Sequence, residues 1–226
     1  MQTLTFDQLA QGGFAGLRER RFVTDRRVFG FRKEPGTADG IGNFVYLADA
    51  NFLPNGETGM HPHREIDVIS VMVDGRIQHA GSLEHGQELS RGMVQVQRAG
   101  AEGFSHNEIN PDSTENHMIQ LWVLPDEAGE SAGYKTYLPK SGEQLQVYGG
   151  SRDQSERFYS GTSINVANLE VGQKAEHDGE VMAYLTKDRG IANGEKVSAK
   201  TLMRSDNLEF NAEEDAQLIL IYTDNT

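Results

Sequence analysis

The sequence predicts an all-β fold of two tandem antiparallel β-barrels, and three observations carry the prediction. Short apolar or alternating runs recur between Gly, Asn and Asp punctuation, helical periodicity is scarce, and the cadence of strands restarts after a polar, glycine-containing stretch near the middle. Alternation with a period of two marks half-buried strands, and the punctuating residues supply the tight turns that antiparallel neighbours need.

Taken in order, Phe6 to Arg20 is the best helical candidate, although Gly12-Gly13 interrupts it, and Asp126 to Tyr134 is the second. Strands are expected at Phe44-Val45-Tyr46-Leu47, Val68-Ile69-Ser70-Val71-Met72-Val73, Gln95-Val96-Gln97 within the glycine-punctuated run Val94 to Gly100, and Met118-Ile119-Gln120-Leu121-Trp122-Val123-Leu124. Asp74-Gly75 signals a hairpin, and Glu84-His85-Gly86 a second turn. Asp126-Glu127-Ala128-Gly129-Glu130-Ser131-Ala132-Gly133 reads as a linker, so one barrel is expected over residues 1–130 and another over 131–226. Strands resume at Leu145-Gln146-Val147-Tyr148, Ser163 to Leu169, Val181 to Leu185 and Ala216 to Tyr222, which suggests a duplicated unit.

At 226 residues with 37% hydrophobic content, the chain is long enough to bury a substantial core. A net charge of −13 repels phosphate backbones and anionic lipid surfaces on average, so neither nucleic acid nor membrane is expected as a partner. The absence of cysteine removes disulfides, thiolate ligands and thiol nucleophiles, and fits a reducing cytoplasm. Met1 to Asp7 lacks the basic and apolar regions of a signal peptide, and no uncharged apolar run reaches membrane-spanning length.

Chemistry concentrates in two short motifs, His61-Pro62-His63 and His106-Asn107-Glu108. Residues i and i+2 of a strand point to the same face, so each motif turns two candidate ligands the same way. Pairing the two strands would aim three imidazoles and one carboxylate at one point, a donor set suited to a first-row transition metal. A single H-x-H is often just a pair of hydrogen-bonded strand histidines; the second motif is what favours a metal. The remaining histidines, His79, His85, His117 and His177, have no partner at ligand spacing and are expected at the surface or lining strands. In the second half, Ala175-Glu176-His177-Asp178-Gly179 and Arg204-Ser205-Asp206-Asn207 stand where ligand motifs would recur, so one metal per chain is expected, in the first half.

The stretch Met60-His61-Pro62-His63-Arg64 through Asp67 and Gly75, then Gly92 to Gly100 and Phe104-Ser105-His106-Asn107-Glu108, resembles the pirin family of the cupin superfamily. The likeness extends to Asp112-Ser113-Thr114 and Gln120 to Pro125, and is architectural beyond that. It implies a bicupin, two double-stranded β-helix barrels of jelly-roll type, with an iron-like ion held by His61, His63, His106 and Glu108. Fe(II) is the first expectation; Ni, Mn, Co, Cu and Zn suit the same donors. Two departures stand out: Glu65-Ile66-Asp67 replaces the usual Gly-Phe-Glu, and Asn107 the usual Ser. The resemblance further implies a dioxygenase that opens flavonols such as quercetin with O₂, Glu108 acting as the base and Asp67 or Glu65 as weaker alternatives. Gln120 is expected to be an ordinary polar strand residue and Arg64 a surface one. The competing expectation is a non-catalytic, redox-responsive metal protein that binds a transcriptional or metabolic partner protein.

Overall fold

The computed structural model describes residues 1–83 and 86–223, and almost all of its regular structure is β. Glu84 and His85 of the expected second turn lie outside the described residues. The chain forms two compact units, Leu9–Leu138 and Pro139–Thr226 joined by Met1–Gln8. Strand β1 (Gln2–Thr5) belongs to the latter. The former contains β2 (Gly12–Phe14), β3 (Leu17–Thr24), β4 (Phe44–Phe52), β5 (His61–His63), β6 (Asp67–Asp74), β7 (Arg76–Gly81), β8 (Glu88–Ser90), β9 (Val94–Arg98), β10 (Phe104–Ile109), β11 (His117–Val123) and β12 (Gly133–Tyr137). Two antiparallel sheets result, one of seven strands in the order β12-β9-β6-β11-β4-β3-β2 and one of four in the order β5-β10-β7-β8. Their apolar contact includes Leu17, Phe52, Met72, Ile77, Leu89 and Met118.

The other unit adds β13 (Gln144–Gly150), β14 (Ser160–Leu169), β15 (Lys174–Lys187), β16 (Arg189–Ala192), β17 (Glu195–Ser198), β18 (Thr201–Ala212) and β19 (Ala216–Thr223). Its strand order is β13-β14-β19-β15-β18-β16-β17, with β1 also on β18. The two long strands β15 and β18 pair antiparallel from Lys174–Asn211 to Leu185–Thr201, with a register shift between Asp178 and Val181. Strand β19 joins the pair only from Val181 onward, and β16 only at the opposite end, beside Phe210 to Ala212. One long antiparallel strand pair thus feeds two halves of a jelly-roll arrangement around Val181, Leu185, Phe210, Leu218 and Leu220. Among the described residues, no helix is long and apolar enough to cross a membrane.

Several local expectations need correction. Phe6 to Arg20 is not helical beyond a turn of 3₁₀ helix at Phe6–Gln8; it continues as the β2–β3 hairpin. The hairpin wins because Leu17, Glu19, Phe22 and Val23 are all buried, whereas the glycines of Gly12-Gly13 weaken a helix. Asp126 to Tyr134 is not a helix either, and the segment is no free linker. Asn43 Nδ2 donates to Asp126 Oδ1 at 2.7 Å, the Gly129 amide to Glu65 Oε1 at 3.1 Å, and the Ala132 amide to Glu102 Oε2 at 2.7 Å. Strand β12 then pairs with β9, which moves the division from the expected residue 130 to Leu138/Pro139. Nor does Asp74-Gly75 close a hairpin: β6 and β7 lie in different sheets, and the turn is the corner between them. Gly75 has a φ of 72°, and a Cβ there would meet the Asn116 Cβ at 2.8 Å. Only glycine suits such a corner.

The short helix Arg26–Phe29 was not foreseen, and Asp25 explains it. Asp25 Oδ1 accepts from the Arg27 amide and from Arg27 Nε, both at 2.9 Å, while Oδ2 accepts from the Gly40 amide at 2.9 Å. Burial alone would push this carboxyl up, but the Arg27 and Gly40 donors outweigh it and hold the pKa at about 2, below the ordinary 3.8. The cap therefore stabilises the fold fully above about pH 4, and the stabilisation fades as the pH falls toward 2. Asp25→Ala should cost about 1–2 kcal/mol at pH 7 in urea unfolding. At pH 2.5 the gap between variant and wild type should shrink.

Candidate metal centre

Backbone pairing assembles the site. In the β5–β10 ladder His61 lies opposite His106 and His63 opposite Phe104, so both histidines of the first motif flank the His106 ring. On its other side β10 pairs with β7, where Gly81 is the partner of His106. A Cβ on Gly81 would lie 2.3 Å from the Ser105 carbonyl oxygen and 3.0 Å from the His106 Cα. The bare glycine lets the strands close up behind the ring.

The three side chains meet through their Nε2 atoms. His106 Nε2 is 3.0 Å from His61 Nε2 and 3.2 Å from His63 Nε2. His61 Nδ1 lies 2.9 Å from the Gly59 carbonyl oxygen and His106 Nδ1 lies 3.1 Å from Gln97 Oε1. Both partners are acceptors, so both Nδ1 atoms carry the proton and both Nε2 atoms present lone pairs. The 3.0 Å approach of His61 to His106 is therefore two lone pairs facing, not a hydrogen bond. Burial, then the neighbouring imidazoles, lowers His106 to about 2 and His63 to about 4, which disfavours a bridging proton. What suits this convergence is a cation. Two nitrogens about 2.1 Å from one ion stand about 3.0 Å apart at a right angle and about 3.4 Å apart at a tetrahedral angle. The observed spacings of 3.0 and 3.2 Å suit three ligands on one ion, and three protein ligands would leave other positions for exogenous groups.

Glu108 stands apart from this cluster, which comprises His61, His63 and His106. It shares the His106 face of β10, but reaches across to the seven-stranded sheet, where Oε1 accepts from Ser70 Oγ and Oε2 from Gln120 Nε2, each at 3.3 Å. Burial raises its carboxyl to about 7 against the opposing effect of these two donors. The expected four-ligand set is thus three converging imidazoles and a separately tethered carboxylate. Both face one cavity of about 290 Å³, lined by Phe29, Tyr46, Thr58, Gln120 and Trp122 among others.

One wall of the cavity is aromatic. Tyr46 and Trp122 stack at 4.2 Å between centroids, Phe29 lies 6.3 Å from Trp122 at an interplanar angle of 5°, and His63 is 5.8 Å from Trp122. Behind it, Tyr46 donates to Glu19 Oε2 at 2.8 Å and Arg21 Nε to Glu19 Oε1 at 2.7 Å. Apart from His63, none of these residues was singled out from sequence as part of the site; they come from a helix and three strands, and no spacing links them.

The other candidates lie elsewhere. Asp67 accepts from Arg98 Nε at 3.1 Å and from the Ala99 amide at 3.3 Å, a buried structural clamp. Glu65 turns toward the Gly129 loop. Arg64 is exposed, and Asn107 faces away from the cluster, donating to Glu57 at 2.6 Å. His117 pairs with Asp49 at 2.9 Å and His177 stacks on Tyr222 at 4.2 Å between centroids. His79 is buried beside His106, with ring centroids 5.4 Å apart.

Trp122 is the only tryptophan of the chain, which makes its emission a reporter of the cluster. Titration with Ni(II) or Cu(II) should quench most of it and saturate near one ion per chain. His106→Ala should abolish the quenching at micromolar metal while the far-ultraviolet circular dichroism stays β-like, because sheet pairing does not require the ion.

Comparison with known proteins places this geometry. The family model described as Pirin matches residues 26–123. The quercetin 2,3-dioxygenase of Escherichia coli (strain K12) is 25% identical over 172 residues, 72% of this chain and 74% of that protein. A Pseudomonas aeruginosa protein, whose name assigns it the same activity provisionally, is 30% identical over 174 residues, 71% of this chain and 75% of that protein. Among solved structures, the bacterial pirin YhhW from Escherichia coli in complex with nickel(II) superposes with a TM-score of 0.84 at 19% identity, covering 100% of this chain and 99% of that one. A quercetin 2,3-dioxygenase from Acinetobacter baumannii gives a TM-score of 0.71 at 18% identity, covering 98% and 85%. The structural likenesses establish a shared bicupin fold, and with the sequence relatives they show that the chain belongs to the pirin family.

Proposed function

We propose that the chain is a metal-dependent dioxygenase of the quercetinase type, acting on a flavonol-like substrate with O₂. The observation that carries this reading is the convergence of three imidazoles, two of them with lone pairs turned inward, beside a flat aromatic wall. The names of the Escherichia coli and Acinetobacter baumannii relatives support it. His61, His63 and His106 would hold the ion, with Glu108 within the same cavity as the candidate fourth ligand. Fe(II) is the favoured ion, and the nickel bound by a related pirin supports Ni(II) as an alternative. Such an ion, when bound, supplies Lewis acidity and open positions for a substrate oxygen and O₂.

The residues of the chain account for the rest. At about 290 Å³ the cavity lies at the small end of the roughly 300–1,000 Å³ typical of small-molecule sites, suited to one flat polycyclic ligand. Trp122, Tyr46 and Phe29 provide a face for an aromatic ring to lie against. Glu108 is the candidate base: burial holds its carboxyl near neutrality, where it can take a proton from a substrate hydroxyl. Ser70 and Gln120 keep it turned into the cavity. A cysteine-free chain suits a reducing cytoplasm as the place of action.

Oxygen consumption tests the proposal. Protein loaded with Fe(II) or Ni(II) should consume O₂ when quercetin is added, and Glu108→Gln should lower kcat about 10²–10⁴-fold while changing metal stoichiometry little. Loaded wild-type protein that consumes no O₂ with any flavonol or catechol would instead favour the non-catalytic, partner-binding reading.

A further inference from the structure

Strand β9 reads Val94-Gln95-Val96-Gln97-Arg98, and both glutamines are fully buried. Two interior amides on one strand face are costly unless every donor and acceptor is matched. Here the matching has a direction. Tyr134 Oη donates to Gln95 Oε1 at 3.1 Å, and Gln95 Nε2 donates to Gln97 Oε1 at 2.8 Å. The same Gln97 Oε1 is 3.1 Å from His106 Nδ1, while Gln97 Nε2 is 3.0 Å from His79 Nε2. In this arrangement the Gln97 oxygen accepts from Gln95 Nε2 and faces His106, while the Gln97 nitrogen faces His79.

We infer that Gln97 is a positioning residue for the metal centre: it holds His106 as the Nδ1–H tautomer, with the Nε2 lone pair aimed at His61 and His63, and sets the affinity and ligand field of the bound ion. The inference rests on the metal-centre reading above. It adds a specific chemical choice. The acceptor behind His106 is a neutral amide rather than the carboxylate that often backs a ligating histidine, so the ring stays less electron-rich and the ion more Lewis-acidic. Gln95, Tyr134 and His79 hold the amide in that orientation.

The test uses Co(II), whose visible spectrum reports its ligand field, with wild-type protein, Gln97→Met and Gln97→Glu. Affinity is measured by competition with a chelator. Gln97→Met keeps the side-chain length but accepts no strong hydrogen bond; the Co(II) dissociation constant should rise about 10–100-fold, with altered visible bands. Gln97→Glu restores an acceptor and should bind at least as tightly as the wild type, again with shifted bands because the backing group is now anionic. Wild-type affinity and an unchanged spectrum in Gln97→Met would overturn the role of Gln97 while leaving the metal centre intact. Failure of the wild type to take up Co(II) would overturn both. If Gln97→Met does not fold by circular dichroism, Gln97→Glu decides: weaker binding than wild type refutes the inference.

Discussion

Three imidazole Nε2 atoms that converge at 3.0 and 3.2 Å, two of them presenting lone pairs, are the feature on which the rest of the first unit depends. Left to themselves, such groups would rotate apart or share protons. Here strand pairing forbids the first and burial the second. The β5–β10 ladder places His61 across from His106, Gly81 lets β7 press against the back of His106, and the Gly59 and Gln97 oxygens fix two of the rings from behind. Folding of the sheets thus supplies the rigidity that a metal-nucleated domain would draw from its ion.

Around the site, part of the interior of this unit is polar for the same reason. Ser70, Gln95, Gln97, His79, Gln120 and Glu108 are all buried between its sheets, each with a hydrogen-bond partner. In the other unit the corresponding core is aliphatic and aromatic: Val181, Leu185, Phe210, Leu218 and Leu220 pack together. Where a second set of ligands would stand, His177 is paired across the ladder with Leu208 and rests on Tyr222, and Asp206 is exposed. Burying a polar group without a partner costs about 1–3 kcal/mol, so a polar core demands that many side chains be mutually satisfied at once. An apolar core tolerates drift, and this difference explains why motif-like patterning is sharp in one half of the sequence and blurred in the other.

Strand positions and the shared face of each histidine motif were legible in the sequence because they follow from alternation, which is local. Phe44, Val68, Val94, Met118, Leu145, Ser163, Val181 and Ala216 all lie in strands where they were expected. What lay beyond local pattern was lost. Asp74-Gly75 has the composition of a hairpin, yet only the position of Asn116, distant in sequence, makes it a corner between sheets. Phe6 to Arg20 reads as a helix until Glu19 is seen to be buried against Tyr46 and paired with Arg21. Phe29, Tyr46 and Trp122 converge only because their elements come together in the fold, and Gln97 acquires its meaning only from the ring behind which it lies.

Glu108 shows where face-sharing stops being sufficient. Residues two apart on a strand are about 7 Å apart, so His106 and Glu108, though on one face, end at different places: Glu108 lines the cavity, while His106 lies behind the His61 and His63 that line it. The imidazole of His106 extends toward the neighbouring strand of its own sheet and meets His61; the carboxylate of Glu108 crosses to the opposite sheet and meets Ser70 and Gln120. Hydrogen bonds of 3.3 Å to these two groups are long for a charged acceptor, so the tether orients the carboxylate without locking it. A single strand therefore carries two poles along its inner face, a cluster of lone pairs suited to a cation and a carboxyl near neutrality suited to exchanging a proton. The aromatic wall of Trp122 lines the cavity that His61, His63 and Glu108 also line.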